Sequence, residues 1–491
     1  MPNLLYIHSD QHNPFVTGCY GDPIVQTPHL DNLASRGATF DAAYCASPIC
    51  VPSRMSMLTG RHPFENQVWT NEDVLSSSIP TIAHAMGAAG YNPVLIGRMH
   101  SIGPDQLHGY AERRVGDHGS NFPGGRSVDR GILTGTAGPH RISLTKSGQG
   151  QSAYQVHDED VTDSAVAYLR SLGARKRKDG TIDPFSLTVG FMLPHPPYVA
   201  RSEDFCRYRD TLPLPRKPVG ETDHAHLRWW RRHTDIVSVN EGEIRNARAA
   251  YWGLVTRLDA MIGRILAALE EAGLDEDTLI VYTSDHGDML GEHGLFWKHT
   301  FYEESVRVPL IMCRPGAIPA GARVKQVVSA LDVSATVLET FGIPPLPKSS
   351  GRSLLPLLQP GEDETGWENI AFSEYCQYNF SPAEGCIHRM VRKNDWKLVY
   401  YHGLAPQLFH LGDDPDEVVD RNDDPACKNI KEELIADVLA EWDPESVAGA
   451  IRTHKEQHHL FASWASSVRP EEKYRWDLKP EMNYLDGIKK T

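Results

Sequence analysis

The chain lacks any long apolar run: nothing in its 491 residues approaches the ~20 apolar residues of a membrane span. It opens on MPNLLYIHSDQHNP, without a basic stretch followed by an apolar core. These residues are therefore expected to form a first strand and not a secretory leader, and a soluble, cytoplasmic protein with no membrane partner is expected. Basic residues are in deficit, 49 Lys and Arg against 64 Asp and Glu, for a formal charge of −15. Such a surface repels phosphate backbones and anionic lipid, which argues against nucleic acid and leaves small, neutral or cationic partners. The eight cysteines (Cys19, Cys45, Cys50, Cys206, Cys313, Cys376, Cys386, Cys427) show no CxxC spacing. They fit reduced thiols better than a disulfide framework or a zinc site. Internal repeats and low-complexity tracts are also missing.

What is present is an alternation of short apolar runs with longer helical patterns, as in βαβ units around a mostly parallel sheet flanked by helices. NLLYIHSD is a strand, TPHLDNLASRGATF a helix with Thr27 as its cap, and IPTIAHAMGAAGYNPVLIGRMH a helix, turn and strand. FSLTVGFMLPHPP is a strand closed by prolines, followed by a long amphipathic helix from about Glu241 to Ala272, the strand TLIVYTSDHG and the helix SALDVSATVLETFG. After LLQPGEDETGWEN the texture becomes β-rich, as in DWKLVYYHGLAPQLFHLGDDPDE. This places an α/β catalytic domain at 1–365 and a smaller α+β subdomain with an antiparallel sheet at 366–491. From Pro444 onward no periodicity is evident, and a wrapping or oligomer-contacting arm is expected.

Asp10 and Gln11, His100, His195, and Asp285 and His286 each follow the carboxyl end of an expected strand, the edge where open parallel sheets bind ligands. Singly, an Asp after a strand is a turn or cap residue. As two adjacent pairs at two strand ends, Asp10, Gln11, Asp285 and His286 form an oxygen-rich set suited to calcium or magnesium more than to a thiolate-loving metal. In SPICVPSRMSMLTGRHP, residues 47–63, Pro52 suits a first helical turn and Arg54 follows one turn on. Cys50 is then either a small buried hydrophobe or a group held at a helix N-terminus that favours an anion. The three residues between Cys50 and Arg54 are too few for a cysteine-phosphatase loop.

The stretch from Cys50 to Arg61 resembles the pattern C-x-P-S-R-x-x-x-x-T-G-R of the formylglycine-dependent (type I) sulfatases. PNLLYIHSDQ, GRMH, PHPPY and SDHGDMLGEHGLFWKHTFYEESVRVPLI resemble the family's first metal strand, its Lys-x-His segment, its downstream histidine loop, and its second metal pair with a lysine helix. The resemblance implies the alkaline phosphatase fold and the hydrolysis of sulfate monoesters, with Cys50 oxidised to formylglycine by a maturation enzyme. By position it implies that Asp10, Gln11, Asp285, His286 and the modified Cys50 hold a divalent metal, calcium first, with magnesium or manganese as alternatives. Arg54 would orient the hydrated aldehyde, Lys298 and His195 would face the sulfate and the leaving oxygen, and His100 would act as base in the second step.

Three positions depart from the commonest pattern: Gln11 for Asp, His286 for Asn, and Arg98 for Lys. The Asp10-Gln11 and Asp285-His286 pairs resemble those of bacterial choline sulfatases, and also of the phosphonate monoester hydrolases and phosphodiesterases of the same superfamily; IGPDQLHGYAER and PHPPYVAR look most like the choline sulfatases. Arg98, Glu374 and Tyr375 are the expected substrate-binding residues, the last two as carboxylate and aromatic face for a quaternary ammonium. The expected substrate is thus a small-molecule sulfate ester, choline-O-sulfate or an aryl sulfate, and a homo-oligomer is expected. A phosphonate monoester hydrolase stands as one alternative. A non-catalytic metal-binding protein with unmodified Cys50 stands as another.

Overall fold

A computed structural model describes residues 1–125, 128–220, 223–358, 366–377 and 386–486. In chain order its strands are β1 (Asn3–Asp10), β2 (Ala38–Tyr44), β3 (Asn92–Gly97), β4 (Glu112–Arg114), β5 (Gly148–Gln151), β6 (Phe185–Pro194), β7 (Val199–Ala200), β8 (Thr278–Ser284), β9 (Leu310–Cys313) and β10 (Ala322–Ser329). They are followed by β11 (Ile370–Gln377), β12 (Cys386–Lys393), β13 (Trp396–Tyr401), β14 (Gln407–His410) and β15 (Tyr484–Leu485). The main sheet has the order β10-β2-β9-β8-β1-β6-β3-β4. All its pairings are parallel except those of β9, which runs antiparallel to β2 and β8. β1 lies at the centre, buried along its whole length, which is why its middle, Leu4 to Ile7, is unbroken apolar sequence before the polar His8, Ser9 and Asp10 reach the sheet edge.

Helices cover both faces. On one, α1 (Pro28–Arg36), α4 (Ala153–Asp179) and α6 (Glu241–Glu271) bury Leu33, Leu169, Leu258 and Ile265 against Leu5, Ile7 and Val189. On the other lie α2 (Cys50–Thr59), α3 (Ile82–Ala88) and α7 (Asp332–Thr340), packed through Met57, Met86 and Val337 against Leu4, Tyr6 and Val281. The start of α6 is fixed by a reciprocal cap: Asn240 accepts from the Glu243 amide, and the Glu243 carboxylate accepts from the Asn240 amide. Helix α1 is shorter than its sequence stretch, because Ala38–Phe40 already belong to β2. Thr27 precedes α1, but its hydroxyl accepts from Gly18 and donates to Asp31 instead of capping the helix.

Strands β3 and β6 close up where the site begins. A Cβ on Gly190 would lie 1.8 Å from the Arg98 carbonyl oxygen, and the Arg98 amide donates to the Gly190 carbonyl at 2.9 Å. Only glycine allows this approach, which carries Arg98 and His100 to the same edge as His195.

Strands β11 to β14 form an antiparallel sheet. One face buries Val391, Leu398 and Leu408 under α8 (Lys428–Leu439) through Leu434 and Val438, under α9 (Pro444–Val468) through Val447 and Ile451, and under Trp442 between them; the other sets Tyr375, Met390 and Val399 against the main domain. The boundary expected near residue 365 lies outside the described residues. The stretch from Pro444, expected to lack regular structure, begins with the 25-residue helix α9. Beyond it the chain returns to the main domain: the Trp476 amide donates to Asp117, and β15 pairs with β5. No described helix is long and apolar enough to cross a membrane.

Candidate active site

The carboxyl ends of β1, β3, β6 and β8, together with the first turn of α2, converge as the sequence leads one to expect. Asp10 closes β1, and the chain then turns through Gln11 in the left-handed region (φ 68°). One oxygen of Asp285 accepts the amides of both Gln11 and His286 at 2.9 Å, so this carboxylate ties the ends of β1 and β8 together. Cys50 is the first residue of α2, and its side chain, with those of Asp10, Asp285 and His286, places four candidate ligand atoms within 4.8 Å of one another, all buried. The Cys50 Sγ lies 3.3 Å from His286 Nε2, 3.1 Å from Lys298 Nζ and 3.8 Å from Asp10 Oδ1.

The charges are balanced by two arginines. Arg54 donates to Asp10 at 3.0 Å, to Asp285 at 2.8 Å and to His8 at 2.8 Å. Arg98 donates to Asp10 at 2.5 Å, to Asp117 at 2.9 Å and to His100 at 2.8 Å. Burial alone would push the Asp10 carboxyl up, but Arg98, His195 and Arg54 outweigh it and hold the group well below the usual carboxylate range. Arg54 was expected to orient the nucleophile. Its described hydrogen bonds go to the two carboxylates, His8 and the Ser9 and Arg98 carbonyls. Arg98 likewise binds the scaffold of the site, where a substrate contact was expected.

The donor set fits a hard divalent cation. His286 Nδ1 lies 3.1 Å from the Gly287 carbonyl, which fixes the proton there and turns the Nε2 lone pair toward the cluster. Burial, reinforced by Lys298, lowers this histidine to about 4, so the ring is neutral, as a ligand must be. Gln11 donates its amide N–H to Asp288 at 2.6 Å and accepts from Lys298 at 2.8 Å, which aims the amide oxygen toward the nucleophile's side. Asp10, Asp285, Gln11 and His286 are thus the residues that could hold the ion.

Two histidines at the rim carry opposite protonation patterns. Arg98 can only donate, so His100 Nδ1 accepts, and the neutral ring keeps its proton on Nε2. His195 Nδ1 lies 2.6 Å from the Pro196 carbonyl and donates to it, leaving Nε2 as the acceptor. Burial, with Arg98, lowers His100 to about 3, and burial, with Lys298, holds His195 well below its ordinary value. His100, expected as a base, is a donor in this arrangement. Lys298 was expected on a helix. It lies instead in the irregular loop after Trp297, where φ is positive at both Trp297 and His299.

Glu374 and Tyr375 do not act together. As neighbours on β11 they point to opposite faces. Tyr375 packs 5.3 Å from the His299 ring, next to Lys298, whereas Glu374 faces α9 and accepts from Trp442 at 3.2 Å. Sequence reasoning missed Asp117 and Asp288. Asp117 accepts from Arg98, Arg113 and the His100 amide; Asp288 accepts from Gln11 and, at 2.6 Å, from Tyr198. Both follow strand ends by a few residues, in RRVGD and SDHGD, and that position was the available signal.

The family model described as Sulfatase matches residues 2–343, and one described as the C-terminal part of N-sulphoglucosamine sulphohydrolase matches 291–442. Over 501 residues the chain is 33% identical to a choline-sulfatase of Rhizobium meliloti, covering 98% of this chain and 94% of that one. It is 32% identical over 443 residues to arylsulfatase K of Bos taurus, covering 85% and 77%. A solved phosphonate monoester hydrolase from Silicibacter pomeroyi superposes with a TM-score of 0.74 at 25% identity, covering 90% and 95%. With this site at the edge of this sheet, and with relatives matched along nearly the whole chain, the chain belongs to the type I sulfatase family of the alkaline phosphatase superfamily and is a sulfatase.

Proposed function

We propose that the protein hydrolyses small-molecule sulfate monoesters through a formylglycine formed from Cys50 by a separate maturation enzyme, with a divalent cation, calcium first, held by Asp10, Gln11, Asp285 and His286. The observation that carries this reading is the position of Cys50. Its sulfur stands at the meeting point of Asp10, His286 and Lys298, yet burial and then Asp10 push the thiol pKa up, so sulfur here is kept as S–H and is a poor nucleophile. The site is built around the place and not the sulfur, and Sγ marks where the hydroxyls of a hydrated formylglycine would stand.

One hydroxyl gives up its proton as its oxygen attacks sulfur, the S–O bond to the alcohol breaks, and the alcohol leaves carrying that proton. Loss of the proton from the second hydroxyl then reforms the C=O bond and expels sulfate, and water rehydrates the aldehyde. Lys298, 3.1 Å from Sγ, supplies positive charge to the sulfuryl group and the leaving oxygen. His100 donates its Nε2 proton as a hydrogen bond, and His195, with a free Nε2, accepts the proton in the second step. The cation, when bound, supplies Lewis acidity that neutralises charge and acidifies the attacking hydroxyl.

The test is the mass of the tryptic peptide from Gly37 to Arg54 out of active protein, where an aldehyde or its hydrate is expected at residue 50. A plain thiol in active protein would overturn the mechanism. The His195→Ala enzyme is expected to accumulate a sulfated form of the same peptide and the His100→Ala enzyme not to, and the reverse outcome would return the base role to His100.

A second reading, phosphonate monoester hydrolysis, is favoured by the fold match to the Silicibacter pomeroyi enzyme. The ratio of kcat/KM for an aryl sulfate to that for a phenyl phosphonate ester separates the two. Choline-O-sulfate is the first ester to try, given the identity to the Rhizobium meliloti choline-sulfatase. Tyr375, beside His299, is the member of the expected choline pair that remains near the site. Cytoplasmic residence and assembly of several copies belong to the same proposal, the latter checked by the sedimenting mass.

A further inference from the structure

Behind the Lys298 loop lies a second convergence that the sulfatase chemistry does not use. His226 sits in α5 (Ala225–His233), and Cys386 and His388 lie two apart on β12 and so share one face of the C-terminal sheet. One ligand atom from each of the three falls within 4.8 Å of the others, and all three residues are buried. The two imidazoles cross at 85° with ring centres 4.7 Å apart.

The hydrogen-bonding account is the second, separate observation. Neither ring nitrogen of His226 and neither of His388 has a hydrogen-bond partner among the described residues, although both residues are only 2% exposed. The hydroxyl of Tyr375, which lies opposite His388 in the β11–β12 register, is also buried and without one. Leaving so many polar atoms dry and unpaired is costly, unless something absent from the bare chain satisfies them.

We propose that His226, Cys386 and His388 bind a zinc ion that pins α5 of the main domain to the C-terminal sheet. Two imidazoles and a thiolate are a borderline-soft set, unlike the oxygen-rich cluster around Asp10, so the chain discriminates between a hard cation at its catalytic edge and zinc behind it. Burial lowers His226 to about 3 and holds His388 well below its ordinary value, so both rings are neutral and their lone pairs are free to bind. Burial also keeps the Cys386 thiol protonated in the bare chain. Zinc binding would therefore release its proton as the Zn–S bond forms. A run of ring contacts links this site to the catalytic loop: His226 lies 5.9 Å from Trp229, Trp229 lies 6.3 Å from Trp230, and Trp230 lies 4.9 Å from His299, the neighbour of Lys298.

The test uses full-length Cys50→Ala protein, so that no thiolate remains at the catalytic cluster. Zinc-loaded protein is expected to hold one ion whose X-ray absorption shell contains a single sulfur at about 2.3 Å together with nitrogen ligands. Cobalt in its place is expected to show a thiolate charge-transfer band that disappears on adding Cys386→Ser. A shell of oxygen and nitrogen alone, failure to take up zinc, or a charge-transfer band that survives Cys386→Ser would overturn the proposal. If Cys386→Ser does not fold, the absorption shell of the parent decides by itself. None of these readouts depends on sulfatase activity.

Discussion

Gln11 holds the catalytic edge together with a neutral amide that both donates and accepts: Asp288 takes its N–H and Lys298 gives to its oxygen. Changing Gln11→Asp would bring a carboxylate against Asp288 and remove the donor. We expect a loss of ~10–100-fold in metal affinity or kcat/KM, the usual effect of disturbing groups that orient metal ligands, measured by metal titration and steady-state kinetics. Arg98→Lys would keep the charge but cannot reach Asp10, Asp117 and His100 together as the planar fork does. A fall of ~10-fold or more in kcat/KM is expected, and unchanged kinetics would mean that the fork has no part in positioning His100. The strand ends that carry the candidate ligands were legible in the sequence because they fall on motif strings. Asp117 and Asp288 were not, because what marks them is their partners, and partners such as Gln11 and Asp288 are 277 positions apart. The His226, Cys386 and His388 cluster was hidden for the same reason: a Cys-x-His pair on one strand has no standing until α5 is folded over it.

Among the elements, the docking of the C-terminal sheet rests on a buried ion cluster. Lys397 of β13 is fully buried, donates to the Phe301 carbonyl at 2.7 Å and pairs with Glu303 at 3.0 Å and with Glu417. Among the described residues, Lys397→Met would leave Glu417 buried without the lysine it pairs with, and Glu303 with only Arg307, at 3.6 Å. A destabilisation of ~3–5 kcal/mol is expected in denaturant unfolding, and a loss under 1 kcal/mol would show that the cluster tolerates the gap. Strands and amphipathic helices with a clean period, such as β1, β6 and α6, were readable from sequence. Helix α9 was missed because Leu460, Phe461, Trp464 and Val468 stand exposed and blur its apolar stripe. Its start was nevertheless written in the chain: Asp443 caps the amides of Glu445 and Ser446, and Pro444 occupies the first turn.

For the whole molecule, buried neutral histidines set the acid limit. Burial lowers His12 to about 4, His62 to about 3 and His293 to about 4. In the unfolded chain each would titrate near its ordinary value of about 6.5, so below that pH the unfolded state binds more protons than the native one. The native state is therefore fully stabilised above about pH 6.5 and weakens as the pH falls toward 4, by up to about 1.4 kcal/mol per pH unit for each such histidine. Thermal unfolding is expected to give a level Tm from pH 8 to 7 and a steep fall between 6 and 5. A level Tm down to pH 5 would show that these rings are not buried neutral in solution.

The position of β1 in the middle of the main sheet also sets a clock. Its first and last residues lie within the first ten of the chain, but its neighbour β8 begins only at Thr278. At roughly 5–20 residues per second, a ribosome needs on the order of a quarter of a minute to a minute to deliver that partner. Until then the first strand can pair on one side only, with β6, and the Cys50 helix lacks the end of β8, with Asp285 and His286, that it closes against. Any enzyme that rebuilds the Cys50 side chain has that interval of synthesis in which to reach it. Once β8 is seated, the same residue is 1% exposed and out of reach.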